Sequence, residues 1–158
     1  MNQDTQKKLH ELVLQHKDEL VQLVSRLIQI NSENPCGTQD EVIAFVRQYL
    51  EGYGIETQQI DTIPGHPIVT AELGNRAGYN LVLNGHVDVV PIGDPKGWKF
   101  DPCGGEVTET TIRGRGTSDM KAGVACLLFV MRLLKESGAK LGGCVRLHIV
   151  SDEEAGGK

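Results

Sequence analysis

The sequence predicts an α/β fold in which helices cover the faces of a sheet. Three observations carry that expectation: two stretches with apolar residues at helical spacing open the chain, short β-type runs follow, and a strand-helix-strand unit runs from about Asn80 to Val150. With 158 residues, 39% of them hydrophobic and 23% charged, the chain has the size and composition of one globular domain or part of one.

From Asp4 to Ile30, Leu9, Leu12, Val13, Leu20, Leu23, Val24, Leu27 and Ile28 recur at steps of three and four. This spacing predicts one long amphipathic helix, with His10 and His16 at its surface or boundary. After the turn-rich NSENPCG, Thr38 and Glu41 have the spacing of a capping box. Val42, Phe45, Val46, Tyr49 and Leu50 form the stripe of a second helix ending near Gly52 and Gly54. Ile55 to Ile60 and Ile68 to Leu73 are β-type runs separated by Pro64, Gly65, His66 and Pro67, and the strand from Tyr79 to Asn84 leads to His86.

The segment from Pro91 to Gly105 is rich in Pro and Gly and carries Trp98, and VTETTIRG reads as an extended segment or hairpin. A connection this long is usually functional. Val124, Leu127, Leu128, Met131 and Leu134 mark a third helix over Met120 to Glu136, closed by Gly138, and Val145 to Val150 alternates as a last strand.

Sixteen basic against twenty-one acidic residues give a net charge of -5, with no Lys/Arg-rich run and 4% aromatics. That balance offers neither a phosphate-backbone footprint nor a stacking platform, so no nucleic-acid partner is expected. The N-terminus has no apolar core after its charges and no stretch has the length of a membrane span, so a cytoplasmic protein without a membrane partner is expected. Cys36, Cys103, Cys126 and Cys144 include no C-x-x-C pair. Cys126 in an apolar helical pattern and Cys144 at a strand start are expected to be buried thiols, and Cys103 has no base beside it in sequence.

Three element ends carry the polar groups of interest. LVLNGHVDVVP brings His86 and Asp88 to the end of an apolar strand, GRGTSDMKAG places Asp119 before a helix, and SDEEAGG sets Glu153 and Glu154 after the last strand. At a spacing of two on extended backbone, His86 and Asp88 face the same way, so the carboxylate can accept from one ring nitrogen while the other binds a metal. A single histidine in an apolar strand is more often a satisfied core residue, and S-D-E-E alone reads as an exposed acidic turn. Together the groups change that balance, because residues at corresponding ends of α/β elements meet in space. One imidazole with several carboxylates suits Zn²⁺ or a similar divalent ion. Glu153 and Glu154 can serve one site only if the backbone turns, which the following AGG permits.

GHVDVVP, WKFDP, GRGTSDMKAG and DEEAGG occur in the order in which similar motifs occur in metallopeptidase family M20, and the chain resembles that family along its whole length. The resemblance implies a zinc-exopeptidase-like three-layer α/β/α fold with a mixed central sheet, incomplete in this chain. It implies that His86, Asp119 and Glu154 are metal ligands, with Asp119 bridging two ions. It also implies that Asp88 orients His86, that Glu153 is the general acid/base, and that Asp119-Met120 is cis. The implied reaction is hydrolysis of the amide of an N-acyl amino acid, of deacetylase or desuccinylase type, with two Zn²⁺ ions and Co²⁺ as a substitute. M20 dipeptidase or carboxypeptidase activity is the near alternative. Cys103 departs from the aromatic residue common after the Asp-Pro. The family's further carboxylate and late histidine ligands, its substrate-carboxylate contacts and its lid or dimerisation domain are not among residues 1–158. The chain therefore reads as the N-terminal part of the catalytic domain of a homodimeric enzyme, inactive by itself. A reading from another class is a non-catalytic fragment with at most weak metal affinity.

Overall fold

The computed structural model describes residues 3–157. Helices α1 (Gln3–Gln15), α2 (Lys17–Gln29) and α3 (Asp40–Gly52) precede strands β1 (Thr57–Ile60), β2 (Ile68–Gly74) and β3 (Tyr79–His86). A small hairpin of β4 (Glu106–Val107) and β5 (Ile112–Arg113), helix α4 (Ala122–Ser137) and strand β6 (Gly143–Val150) follow. The main sheet has the order β1-β2-β6-β3. Strand β6 pairs antiparallel with β2 and parallel with β3, so the sheet is mixed, as expected.

That parallel register positions the site. His86 lies beside Val150, so the two strands end together and their following loops leave from the same edge. The core lies on one sheet face. Val69, Ala71, Val145, Leu147 and Ile149, at alternate positions of β2 and β6, pack with Leu27, Ile28, Val46, Leu50, Val124, Leu128 and Met131 from α2, α3 and α4. Each such buried Val, Leu, Ile or Met side chain contributes roughly 1.5–3 kcal/mol. The opposite face carries Thr70, Glu72, Arg146 and His148, with Arg146 paired to Glu72 at 2.9 Å. Among the described residues the helices thus form one covering layer. His148 sits within β6 between Thr70 and Asn84, away from the strand end.

Four expectations change. The first helix is two helices, broken at His16, whose φ is -106° and ψ 15°. Backbone bonds continue across the break, from His16 N to Leu12 O at 3.1 Å and from Leu20 N to His16 O at 3.2 Å. The break is a kink. His16 Nδ1 lies 2.7 Å from Glu19 Oε1 and 3.1 Å from Arg132 Nη2 on α4, a tertiary contact that helical periodicity does not report.

The Thr38–Glu41 capping box is absent. Helix α3 starts at Asp40 with Gln39 as its cap residue and no side-chain cap bond; the Gln39 N–H donates to Gly65 O at 3.0 Å in the β1–β2 loop. Cys126 is exposed, contrary to expectation, because the inward stripes of α4 run through Val124, Leu128 and Met131 and through Ala125, Phe129 and Arg132. Cys144 is buried, as expected, and Cys36 is exposed. Cys103 is half-buried, and burial followed by the nearby Asp101 carboxylate pushes its thiol pKa up, which disfavours a nucleophilic thiolate. The last helix starts at Ala122 because residues 117–121 form a separate, wider turn.

Candidate metal centre

His86 and Asp88 are fixed from two sides. On one side Val87 N–H donates to Val150 O at 3.0 Å. On the other, residues 32–34 run alongside: Val89 N–H donates to Ser32 O at 3.0 Å, Asn34 N–H to Val89 O at 2.9 Å, and Ser32 Oγ to Val87 O at 2.7 Å. His86 and Asp88 are both buried as a result.

The imidazole is oriented by backbone. His86 Nδ1 lies 3.0 Å from Asp88 O, with the Asp88 Oδ1 carboxylate atom farther away at 3.4 Å. Nε2 is left facing outward, 3.0 Å from Asp119 Oδ1 and 3.7 Å from Glu153 Oε2. The partner of Nδ1 is thus the carbonyl of Asp88 before its carboxylate, a refinement of the spacing argument. Burial opposes protonation of His86, but Asp88 O and the carboxylates of Asp119, Asp88 and Glu153 outweigh it and hold the pKa above the usual imidazole value.

The Asp88 carboxylate has a different task. Fully buried, it accepts from the backbone N–H groups of Glu153 at 3.2 Å and Glu154 at 2.9 Å, and from Asn34 Nδ2 at 2.9 Å. It organises the turn after β6. That turn closes through Gly156 N to Glu153 O at 3.0 Å and Gly157 N to Asp152 O at 2.7 Å, with Gly156 and Gly157 at φ 99° and 59°. Left-handed backbone of this kind favours glycine. The turn expected from AGG is present, and it sends both glutamates to the histidine. Ligand atoms of His86, Glu153 and Glu154 all lie within 4.8 Å of one another.

Asp119 arrives from the 117–121 turn. Gly116 enters it at φ 80°, where a Cβ would come within 2.5 Å of Val89 Cγ1, and Lys121 N–H closes it on Gly116 O at 2.8 Å. The Asp119-Met120 peptide is cis, as the resemblance implies. The Asp119 side chain is 75% exposed and touches His86, but it is not part of the tighter group of His86, Glu153 and Glu154.

All five residues singled out in the sequence therefore converge on one sheet edge. Oxygen and imidazole donors of this kind suit a divalent cation. The nearest lysine in sequence does not neutralise them: Lys121 is buried, its Nζ donates to Ile30 O at 2.6 Å, and burial lowers its pKa to about 8.

Asn34, Lys121 and His66 escaped the sequence reading. Asn34 Nδ2 donates to both Asp88 Oδ2 and Asp152 Oδ1, each at 2.9 Å. His66 Nδ1 lies 3.1 Å from Ser151 O. Asn34 and His66 stand in segments whose Pro and Gly already explain a turn, so no further signal marked them.

Residues 82–158 match peptidase family M20/M25/M40. The N-formyl-4-amino-5-aminomethyl-2-methylpyrimidine deformylase of Bacillus subtilis is 37% identical over 152 residues, 94% of this chain and 36% of that protein. The succinyl-diaminopimelate desuccinylase of Methylobacterium nodulans is 43% identical over 107 residues, 65% of this chain and 26% of that protein. Among solved structures, the M20 family metallo-carboxypeptidase Sso-CP2 from Sulfolobus solfataricus superposes with a TM-score of 0.78 at 27% identity, covering 87% of this chain and 32% of that one. The chain spans about a quarter to a third of the length of these proteins.

Proposed function

Since this chain belongs to peptidase family M20/M25/M40 through residues 82–158, we propose that the complete protein is a metal-dependent hydrolase of linear amides, acting on N-acyl amino acids. The observation that carries this reading is the convergence of His86, Glu153 and Glu154 within 4.8 Å, with Asp119 against the same imidazole. Two Zn²⁺ ions are assigned to the complete site, with Co²⁺ as a substitute. His86 through Nε2, Asp119 as the shared carboxylate and Glu154 would hold them. When bound, such ions polarise a carbonyl and lower the pKa of a water molecule.

The chain's own residues supply the rest. Glu153, with a side chain 58% exposed, stands where its carboxylate can take the proton of an attacking water and return it to the departing amine. The products are an amine and a carboxylate. Asp88 keeps both glutamates in place through their backbone N–H groups, and its carbonyl keeps His86 Nδ1 occupied so that Nε2 is presented.

The named activities of the deformylase and desuccinylase relatives support a deacylase. The likeness to a metallo-carboxypeptidase favours peptide hydrolysis as the second reading. For the complete protein the reading is a cytoplasmic homodimer acting on small N-acyl amino acids or peptides. Assay of the complete protein against N-acetyl and N-succinyl amino acids and dipeptides, with Zn²⁺ or with chelator, tests the proposal. Metal-dependent turnover is expected. Metal-loaded protein inert on every amide would overturn it.

A further inference from the structure

Asn34 comes from the loop between α2 and α3, far in sequence from either strand end, yet it is 2% exposed and stands between them. One carboxylamide nitrogen has two hydrogens, and here each meets a different carboxylate: Asp88 Oδ2 after β3 and Asp152 Oδ1 after β6, both at 2.9 Å. Asp152 immediately precedes Glu153, and Asp88 holds the backbone of Glu153 and Glu154. Asn34 thus closes a loop of contacts around the turn that carries the glutamates. Its backbone is pinned independently, by Asn34 N–H to Val89 O at 2.9 Å. We propose that Asn34 is a positioning residue for the metal centre: its amide clamps Asp88 to Asp152 and thereby sets the separation of His86 from Glu153 and Glu154. The inference rests on the metal-hydrolase reading.

The residue type follows from the electrostatics. Two carboxylates this close repel, and a neutral double donor relieves them while leaving the local negative charge available to a cation. Asp at this position has the same shape but two acceptors, and Gln carries its amide a methylene too far.

The test measures metal affinity by calorimetric titration with Zn²⁺, and the visible absorption of the Co²⁺ form, on the complete protein. Asn34→Ala and Asn34→Asp are compared with Ser25→Ala, which removes a buried side-chain-to-backbone bond outside the metal centre, Ser25 Oγ to Gly105 O at 2.6 Å, without touching a carboxylate. The clamp predicts affinity reduced about 10–100-fold and an altered Co²⁺ spectrum in both Asn34 variants. Ser25→Ala is expected to lower the melting temperature and leave affinity and spectrum unchanged. Wild-type affinity in the Asn34 variants, or equal losses in Ser25→Ala, overturns the inference. If the Asn34 variants do not fold, Asp152→Ala decides: weakened affinity supports the clamp, unchanged affinity contradicts it. Failure of the complete wild-type protein to bind metal counts against the hydrolase reading instead, so the two failures are separable.

Discussion

The buried carboxylate of Asp88 accepts the backbone N–H of Glu154 at 2.9 Å, joining the end of one strand to the start of the turn after its parallel neighbour. Glu153 N–H reaches the other oxygen of the same carboxylate at 3.2 Å. The residue two places after the histidine therefore does more than face the same way as it does. It holds two glutamates by their backbones.

Asp88→Asn keeps the shape but replaces one acceptor by a donor aimed at other donors. Burying an unsatisfied polar pair costs about 1–3 kcal/mol, and a disturbed support shell costs about 10–100-fold in metal affinity. Chemical denaturation and calorimetric titration with Zn²⁺ should show both losses together. Loss of stability with unchanged affinity would confine Asp88 to a folding role.

Metal binding should be acid-sensitive through His86. Its pKa is held above the usual value of about 6.5, and an imidazole must be neutral to bind a metal. Affinity should therefore fall as pH drops through the raised value. The metal-free chain behaves in the opposite sense. A folded pKa raised above the unfolded one contributes stability that is fully present below about 6.5 and is lost as pH rises through the folded value. Zinc at 100 times its dissociation constant should stabilise the wild type by about 2.7 kcal/mol. His86→Ala should abolish that gain, read as the shift of the thermal midpoint.

Lys121 gives a separate alkaline signature. Its pKa is lowered from 10.5 to about 8 by burial, so between those values the unfolded chain binds more protons and stability rises with pH. Relative to Lys121→Met, the wild type should gain about 3 kcal/mol across that window, because each tenfold change in proton affinity between the folded and unfolded chain is worth about 1.4 kcal/mol. Parallel stability profiles for the two proteins would show that the ammonium is not held in a dry environment.

These contacts explain what the sequence could and could not disclose. The α/β elements and the meeting of His86, Asp88, Asp119, Glu153 and Glu154 were legible because apolar periodicity marks elements and strand ends and four ordered motifs mark the chemistry, while the mixed sheet was implied by the family resemblance those motifs carry. The kink at His16 was not, because Arg132, which touches it, lies on another helix. Neither was the start of α3, where Gly65 binds the cap residue's backbone and displaces the Thr38 box. Cys126 shows the same limit in one helix: an apolar pattern wide enough to bury two stripes does not say which thiol faces out. Asn34 was hidden for a further reason, since an Asn before Pro is already accounted for by the turn.

The central claim is that Glu153 moves the proton in a metal-assisted hydrolysis, and Glu153→Gln in the complete protein tests it most directly. With Zn²⁺ bound and an N-acyl amino acid as substrate, the variant should retain metal and lose turnover by about 10²–10⁴-fold, the usual contribution of a general acid/base. Turnover at the wild-type rate in metal-loaded Glu153→Gln would contradict the account.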